Sequence, residues 1–327
     1  MQSLGQLANR AGITTLTDLG NPTSTDPATI AQWRNIVESD EFPARLSIFN
    51  LANPATDPQA VAATQQESSD KLRFGHVKIV LDGSIQGYTA RLNWPGYLED
   101  RPNGLWLVPP EQVTDLLRPF HEDGLLVHVH CNGDQAVDVF LNSVQDLLSE
   151  TPQFDHRYTV QHSQLTTPAQ YQRIKSLGLC ANIFSNHTWY WGDQHVTSTV
   201  GPDRAARMNA ARTALDLGVP LSMHCDAPVT PLGSLHVAWS AVNRITASGH
   251  LLGPNERITV HEALQAITVG AAYQLKMDHE IGSIAPGKFA DLAVLEADPY
   301  QEDPMELRNI GVWGTMVGGK THPATQT

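Results

Sequence analysis

The chain has 327 residues, 41% of them hydrophobic, with 21 Lys and Arg against 34 Asp and Glu for a formal net charge of -13. That apolar share supplies the core of one large domain or two modest ones, so a disordered chain is excluded as the default. The acid excess, with no run of Lys or Arg, leaves nothing to grip nucleic acid or an anionic membrane.

No stretch approaches the roughly 20 apolar residues of a membrane span, and the opening MQSLGQLANRAG lacks the basic-then-apolar plan of a secretion signal. A soluble, cytoplasmic protein is expected. Cys131, Cys180 and Cys225 fall in separate strand-like segments, which suits buried free thiols better than a disulfide framework. The Asn186, His187, Thr188 triplet has the form of a glycosylation acceptor, but without a secretion signal it carries no weight.

Taken in chain order, short β-branched or apolar runs alternate with amphipathic stretches, the rhythm of βα units around a parallel sheet or barrel. GITTLTDLG from Gly12 and ARLSIFNL from Ala44 open the series, and HVKIVLDGS from His76, LLVHVHCNGD from Leu125 and YTVQHSQL from Tyr158 continue it. LCANIFSNH from Leu179 and PLSMHCDAP from Pro220 close it. Helices are predicted between them over 111–123, 133–150, 204–217 and 235–248, with a further one after the last run over 261–275. Another helix starts at Thr167, an N-cap followed by Pro168, and stops at Gly178. The strand starts lie about 20 to 50 residues apart, matching a TIM-type barrel with enlarged loops. Seven strands are one short of closure. Beyond residue 276 the style changes to IGSIAPGKFADLAVLEADP and NIGVWGTMVGGKTHPA, which read as a small β subdomain over 277–327 beside a barrel over 1–276.

In such a barrel the active site sits at the carboxyl ends of the strands, and Lys78, His130, His162 and Asp226 stand at such ends. A strand-end His taken alone is more often a hydrogen-bonded core residue than a ligand. Two imidazoles on neighbouring strands plus a carboxylate two strands on make an open N/N/O set that suits a divalent metal with a position left for water. Asp226 is then placed to take a proton. Lys78, if buried and neutral, can carry a carboxyl group and bridge two metals.

The order Lys, His, His, Asp on successive strands resembles the amidohydrolase superfamily. VKIVLDGSIQGYTARL, HVHCNGDQAV, VQHSQL, LGVPLSMHCDAPVTPL and IGSIAPGKFADLAVLEADP are similar to segments of its type-3 branch, which includes N-substituted formamide deformylase. The resemblance implies Lys78 as the carboxylated bridging lysine, His130 and His162 as ligands, and Asp226 as ligand and general base. One or two divalent ions, zinc first, would serve a small-molecule amide-type substrate whose non-peptide carbon–nitrogen bond is hydrolysed. Asp134 looks like an orienting group or a helix N-terminal carboxylate. His224, two residues before Asp226, shares its strand face. Trp94, Tyr97 and Trp106, with Trp189, Tyr190 and Trp191, are candidates for an aromatic wall.

Two departures stand out. The family's first strand ends in a His, any residue, His pair, and none precedes Gly12; His128 and His130 have that spacing but lie within the fifth-strand segment. The opening strands of the β subdomain are absent too, so Met1 is expected inside the helix before strand two, leaving barrel strands two to eight and a partial β-sandwich. A barrel with open edges should be poorly stable or dependent on association, a homo-oligomer among the outcomes. The competing expectation is a weak or inactive barrel fragment serving as a binding module.

Overall fold

The computed structural model describes residues 2–324, and the expectation about Met1 lies outside them. Seven parallel strands form one curled sheet in sequence order: β1 (Thr15–Asn21), β2 (Arg45–Leu51), β3 (Leu72–Val80), β4 (Leu126–Cys131), β5 (Thr159–His162), β6 (Cys180–Ile183) and β7 (Leu221–Met223). β1 and β7 are its edges, and among the described residues they do not pair with each other.

Alternation along each strand separates two faces. Val77, Ile79, Val127, Val129, Val160, Ala181, Ile183, Leu221 and Met223 pack into the largest core with residues of the surrounding helices. The alternate residues, Lys78, His128, His130, Gln161, Asn182 and Ser222, face the inside of the curl and are polar. This asymmetry places hydrophobic burial outside the sheet and chemistry within it.

Helices α1 (Gln2–Arg10), α2 (Pro27–Val37), α3 (Pro58–Ala63), α4 (Val113–Glu122), α5 (Asp134–Glu150) and α6 (Pro168–Ser176) alternate with the first strands. Asp26, Asp57 and Thr167 cap α2, α3 and α6 with a Pro inside each start; Thr167 and Gln170 complete a capping box. Then come α7 (His187–Gln194), α8 (Pro202–Ala206), α9 (Ala211–Asp216), α10 (Ser234–Asn243), α11 (Val260–Ile267) and α12 (Val269–Gln274).

Three helix expectations need correction. The helix over 204–217 is two, α8 and α9, broken where Asn209 takes φ 51°. The one over 261–275 is α11 and α12, broken at Thr268 (φ -125°, ψ -86°). The one over 235–248 stops at Asn243 because Arg244 turns left-handed, φ 53°. Its buried guanidinium donates to the carbonyls of Leu252, Asn209, Met208 and Ala206, a tertiary requirement that helix periodicity does not carry.

The lower interior is filled by Phe49, Leu126, Ala272, Leu275, Met277 and Ile281, with Leu19 and Phe289 against them. An antiparallel sheet follows, β8 (Leu292–Leu295), β9 (Val312–Val317) and β10 (Lys320–Pro323), in the order β10-β9-β8. Asn9 of α1 donates to Thr315 Oγ1 at 2.8 Å and His322 O at 2.6 Å. Arg45 holds Asp291 through two bonds of 2.6 and 3.0 Å in a nearly dry pair, the fork geometry that gives such a pair direction.

Candidate metal centre

The site is built where β4, β5 and β7 end. Strict alternation after inward Gln161 would send His162 outward, but His162 takes φ 70° and Ser163 φ 50°, which re-aims the imidazole. Asp226 follows His224 beyond β7 with φ 55°. Left-handed backbone in non-glycine residues costs on the order of 1–3 kcal/mol and persists where the surroundings impose it, as at active sites. His162 and Asp226, both strained in this way, carry candidate ligands.

The ligand atoms of His162, His224 and Asp226 lie within 4.8 Å of one another. His162 Nδ1 is 4.0 Å from Asp226 Oδ2, and His224 Nδ1 is 3.9 Å from Asp226 Oδ1. His162 Nδ1 and His224 Nε2 are buried without any hydrogen-bond partner. Burial holds His162 well below the usual imidazole range and His224 down to about 3, with the Lys78 charge reinforcing both. Both rings are therefore neutral, with a lone pair to offer.

His130 stands beside this trio with its ring 4.3 Å from that of His162. Its Nε2 is 3.0 Å from Gly83 O and 3.1 Å from Asn132 Nδ2; in the tautomer that donates to Gly83 O, Nδ1 is left bare. Burial takes it down to about 4. Lys78 is buried, has no hydrogen-bond partner among the described residues and is pushed down to about 8 by burial, with Asp226 opposing. Asp226 is raised by burial, with Lys78 and His130 opposing.

The structure thus groups His162 and Asp226 with His224, expected to share the face of Asp226 and to touch substrate or pack in the barrel interior, and sets His130 and Lys78 at their side. Asp134 is engaged elsewhere: it pairs with Arg204 at 3.0 Å and accepts the Asn93 N–H at 2.9 Å. The carboxylate beside His130 is Asp82, which was not among the candidates from sequence. It is fully buried, 3.5 Å from His130 Nε2, and accepts N–H groups of Asn132, Gly133 and Arg91 at 2.8 to 3.0 Å. Burial pushes it up to about 7 against those three donors. This clamp ties the loop after β3 to the turn after β4, where Gly133 is required because a Cβ would meet Arg91 O at 1.8 Å.

The aromatic wall does not form as expected. Trp94 is 94% exposed, whereas Tyr97 is buried with its hydroxyl on Ala90 O. Trp189 packs on Trp239, Tyr190 on His236, and Trp106 lies beside Arg91. Only Trp191 reaches the cluster, through Phe184 and His187. A cleft of about 510 Å³ beside Trp94, Asp134 and Arg204 has none of the three clustered residues in its lining. His187, not among the candidates from sequence, sits 4.1 Å from Phe184, which stacks on His224 at 5.1 Å. The Asn186 to Thr188 triplet is fully buried there, so it is no glycan acceptor in this fold.

Residues 1–322 match the model of the Amidohydrolase family. This chain belongs to that family. Within it, the relatives support the type-3 branch. The amidohydrolase is 29% identical over 320 residues to Protein LONG AFTER FAR-RED 3 of Arabidopsis thaliana, covering 94% of this chain and 54% of that protein. It is 29% identical over 208 residues to N-substituted formamide deformylase of Arthrobacter pascens, covering 64% and 38%. The fold is shared with an uncharacterized metal-dependent hydrolase from Pyrococcus horikoshii OT3, with a TM-score of 0.71 at 19% identity over 95% of this chain and 59% of that one. The chain spans about half the length of the curated relatives it matches. Among the described residues no helix is long and apolar enough to cross a membrane.

Proposed function

We propose that this amidohydrolase chain carries the hydrolytic centre of a metal-dependent hydrolase acting on a non-peptide carbon–nitrogen bond of the amide or formamide type. The observation that carries the reading is the convergence of His162, His224 and Asp226 within 4.8 Å, with two buried imidazole nitrogens unpaired. A buried nitrogen without a partner is destabilising by about 1–3 kcal/mol, and a cation is the partner that two neutral imidazoles and a carboxylate fit. Zinc suits such a set, because hydrolytic zinc commonly has three protein ligands and an open position. Bound there, the metal would acidify water and polarise a carbonyl.

The chain's own groups supply the rest. Asp226, raised by burial yet the most exposed side chain of the three, takes the proton from water and passes it to the leaving nitrogen. Lys78, held down to about 8, keeps positive charge beside Asp226 at neutral pH and has a neutral fraction able to take up a carboxyl group. Asp82 fixes the turn that presents His130. The similarity to N-substituted formamide deformylase supports a formamide or related amide as substrate.

Protein purified without chelator is expected to hold zinc near one equivalent and, with added zinc or manganese, to hydrolyse members of a formamide and amide panel. Metal-free protein with no turnover across the panel refutes the reading.

A further inference from the structure

Beside the metal cluster lies a second group of buried polar atoms with no partner. Gln164, His187 and Asn209 are 0%, 1% and 2% exposed. Gln164 Oε1, His187 Nδ1 and both side-chain atoms of Asn209 have no hydrogen-bond partner. Buried polar groups in folded proteins are nearly always paired; the His187 ring and the Asn209 amide face each other closely enough to interact, but no hydrogen bond of good geometry satisfies these four atoms, so the three adjoining side chains are left short of partners.

The scaffold holds these atoms in place. Gln164 follows His162 by two residues, and its Nε2 donates to His195 Nε2 at 2.9 Å, while His195 Nδ1 bonds Thr199 Oγ1 at 2.9 Å. That chain fixes the amide so that Oε1 is left over as an acceptor. The backbone N–H of Asn209 donates to Gln164 O at 2.8 Å, so the two side chains spring from one point. Asn209 takes left-handed backbone at φ 51°, and the Arg244 guanidinium locks its turn through the carbonyls of Met208 and Asn209. His187 lies beside Asn209 and against Phe184, whose ring also stacks on His224.

We infer that Gln164, His187 and Asn209 form a recognition site for an uncharged amide-type group of the substrate, presenting a carbonyl and an N–H together. This rests on the hydrolase reading above and deepens it by naming a second polar group distinct from the bond that is broken. The Asn209 amide offers one donor and one acceptor, Gln164 Oε1 a further acceptor, and His187 Nδ1 a lone pair or a proton according to tautomer. Among the described residues the neighbouring positive charges are spent elsewhere: Arg204 is paired with Asp134, Arg244 is spent on backbone carbonyls, and Lys78 faces Asp226. An ammonium would find no carboxylate among these three.

The test uses a short methylene series of formamides ending in a primary amide, with matched series ending in a carboxylate or an ammonium, on the zinc-loaded full chain. Wild type is expected to favour the amide tail in kcat/KM by at least about tenfold, since a site built to pair a polar group penalises partners that leave it unpaired. Asn209→Asp, close in volume and at ease with left-handed backbone, should move the preference towards ammonium; Gln164→Leu should flatten it. Equal kcat/KM for all three tails in wild type overturns the inference while leaving the hydrolase reading intact, and so does an unchanged preference in both variants. If nothing is hydrolysed, calorimetry with the same compounds decides: binding confined to the amide tail keeps the site and removes the hydrolase reading, whereas no binding overturns the site. If Gln164→Leu fails to melt cooperatively, the tail preference of Asn209→Asp alone decides, and no movement towards ammonium overturns the inference.

Discussion

His128 and His130 stand on the same inward face of β4, one layer apart, in opposite bonding states. His128 is pinned on both nitrogens, by Gln161 Nε2 at 2.7 Å and Gln274 O at 3.4 Å. The belt continues through Asn182 to Gln161 at 2.9 Å and Ser222 to Gln274 at 2.5 Å. One layer up, around His130, the polar atoms crowd together unpaired: His162 Nδ1, His224 Nε2, Gln164 Oε1 and Asn132 Oδ1. Elsewhere in the sheet unpaired atoms also occur, at His76 Nδ1 and Asn182 Oδ1 and at the cross-strand neighbours Ser47 and Arg73, but among the described residues they do not bring metal-binding side chains together as His162, His224 and Asp226 do. Residue type therefore does not separate structure from chemistry inside this curl; the state of the hydrogen-bond partners does.

The largest effect expected at the upper layer is that of Asp226→Asn. The change removes a charge and a proton acceptor with little change of volume, and Asn tolerates the left-handed backbone at this position. Hydrolysis should fall by about a thousandfold or more, with the thermal melt almost unmoved. Retained turnover breaks the claim that the upper layer is the chemical one.

The two layers separate most sharply in a pair of alanine variants. His224→Ala removes a member of the ligand trio and should weaken zinc binding beyond the roughly 10–100-fold loss typical of residues that merely support a ligand. His128→Ala should leave zinc affinity within about threefold but cost on the order of 2–4 kcal/mol of stability, because it opens a cavity and strands Gln161. Metal titration and chemical denaturation on both proteins read the two effects. An equal zinc loss in both variants would erase the distinction between layers.

The contrast also explains how much of the molecule is legible in the sequence. Two-residue alternation and turn signals are enough to locate all seven strands, although the third begins at Leu72, ahead of the run read from His76, and strand-end position is enough to single out Lys78, His130, His162 and Asp226 as neighbours. The candidate ligand trio is less visible because it depends on backbone sign: His162 faces inward only by taking φ 70°. Asp82 reads as one more turn residue in the run LDGS, although a carboxylate directly after a buried strand is the available signal. Asn209 lies inside a predicted helix, and the break that exposes its amide to Gln164 is imposed by Arg244, 35 residues further on. Asp134 falls at the expected helix start, but its partner Arg204 comes from a segment 70 residues away.

A graded effect, of which each ring carries only a share, is expected from acid. In the folded chain His128 is held down to about 3 and His195 to about 4, by burial first. Both rings are neutral in either state above the unfolded value near 6.5, so their contribution is complete there. As pH falls below about 6.5 the unfolded chain takes up protons that the folded chain refuses, and stability drops by up to about 1.4 kcal/mol per pH unit for each ring until the folded values are reached. The melting temperature should therefore decline steadily between about pH 6.5 and about pH 4. A variant His195→Gln, which keeps a polar partner for Gln164 without a titrating ring, should show a shallower decline. An identical slope in the variant would mean that His195 contributes nothing to the acid response.

The smallest effect belongs to the most conspicuous aromatic residue of the expected wall. Trp94 is 94% exposed and carries no packing to lose, so Trp94→Ala should change stability by no more than about 0.5 kcal/mol. It lines the cleft beside Asp134 and Arg204, not the trio itself. Turnover of formamide substrates should then stay within about twofold of wild type. Trp191→Ala is the matched control, because that ring lies 6.2 Å from Phe184 and 5.5 Å from His187. Its loss should raise KM while leaving zinc content unchanged, since it touches the rings that back the trio and none of the ligand atoms. If Trp94→Ala lowers kcat/KM more than Trp191→Ala does, the loop after β3 closes over the site when substrate is bound, and the division between a chemical mouth and an inert rim must be redrawn to include it.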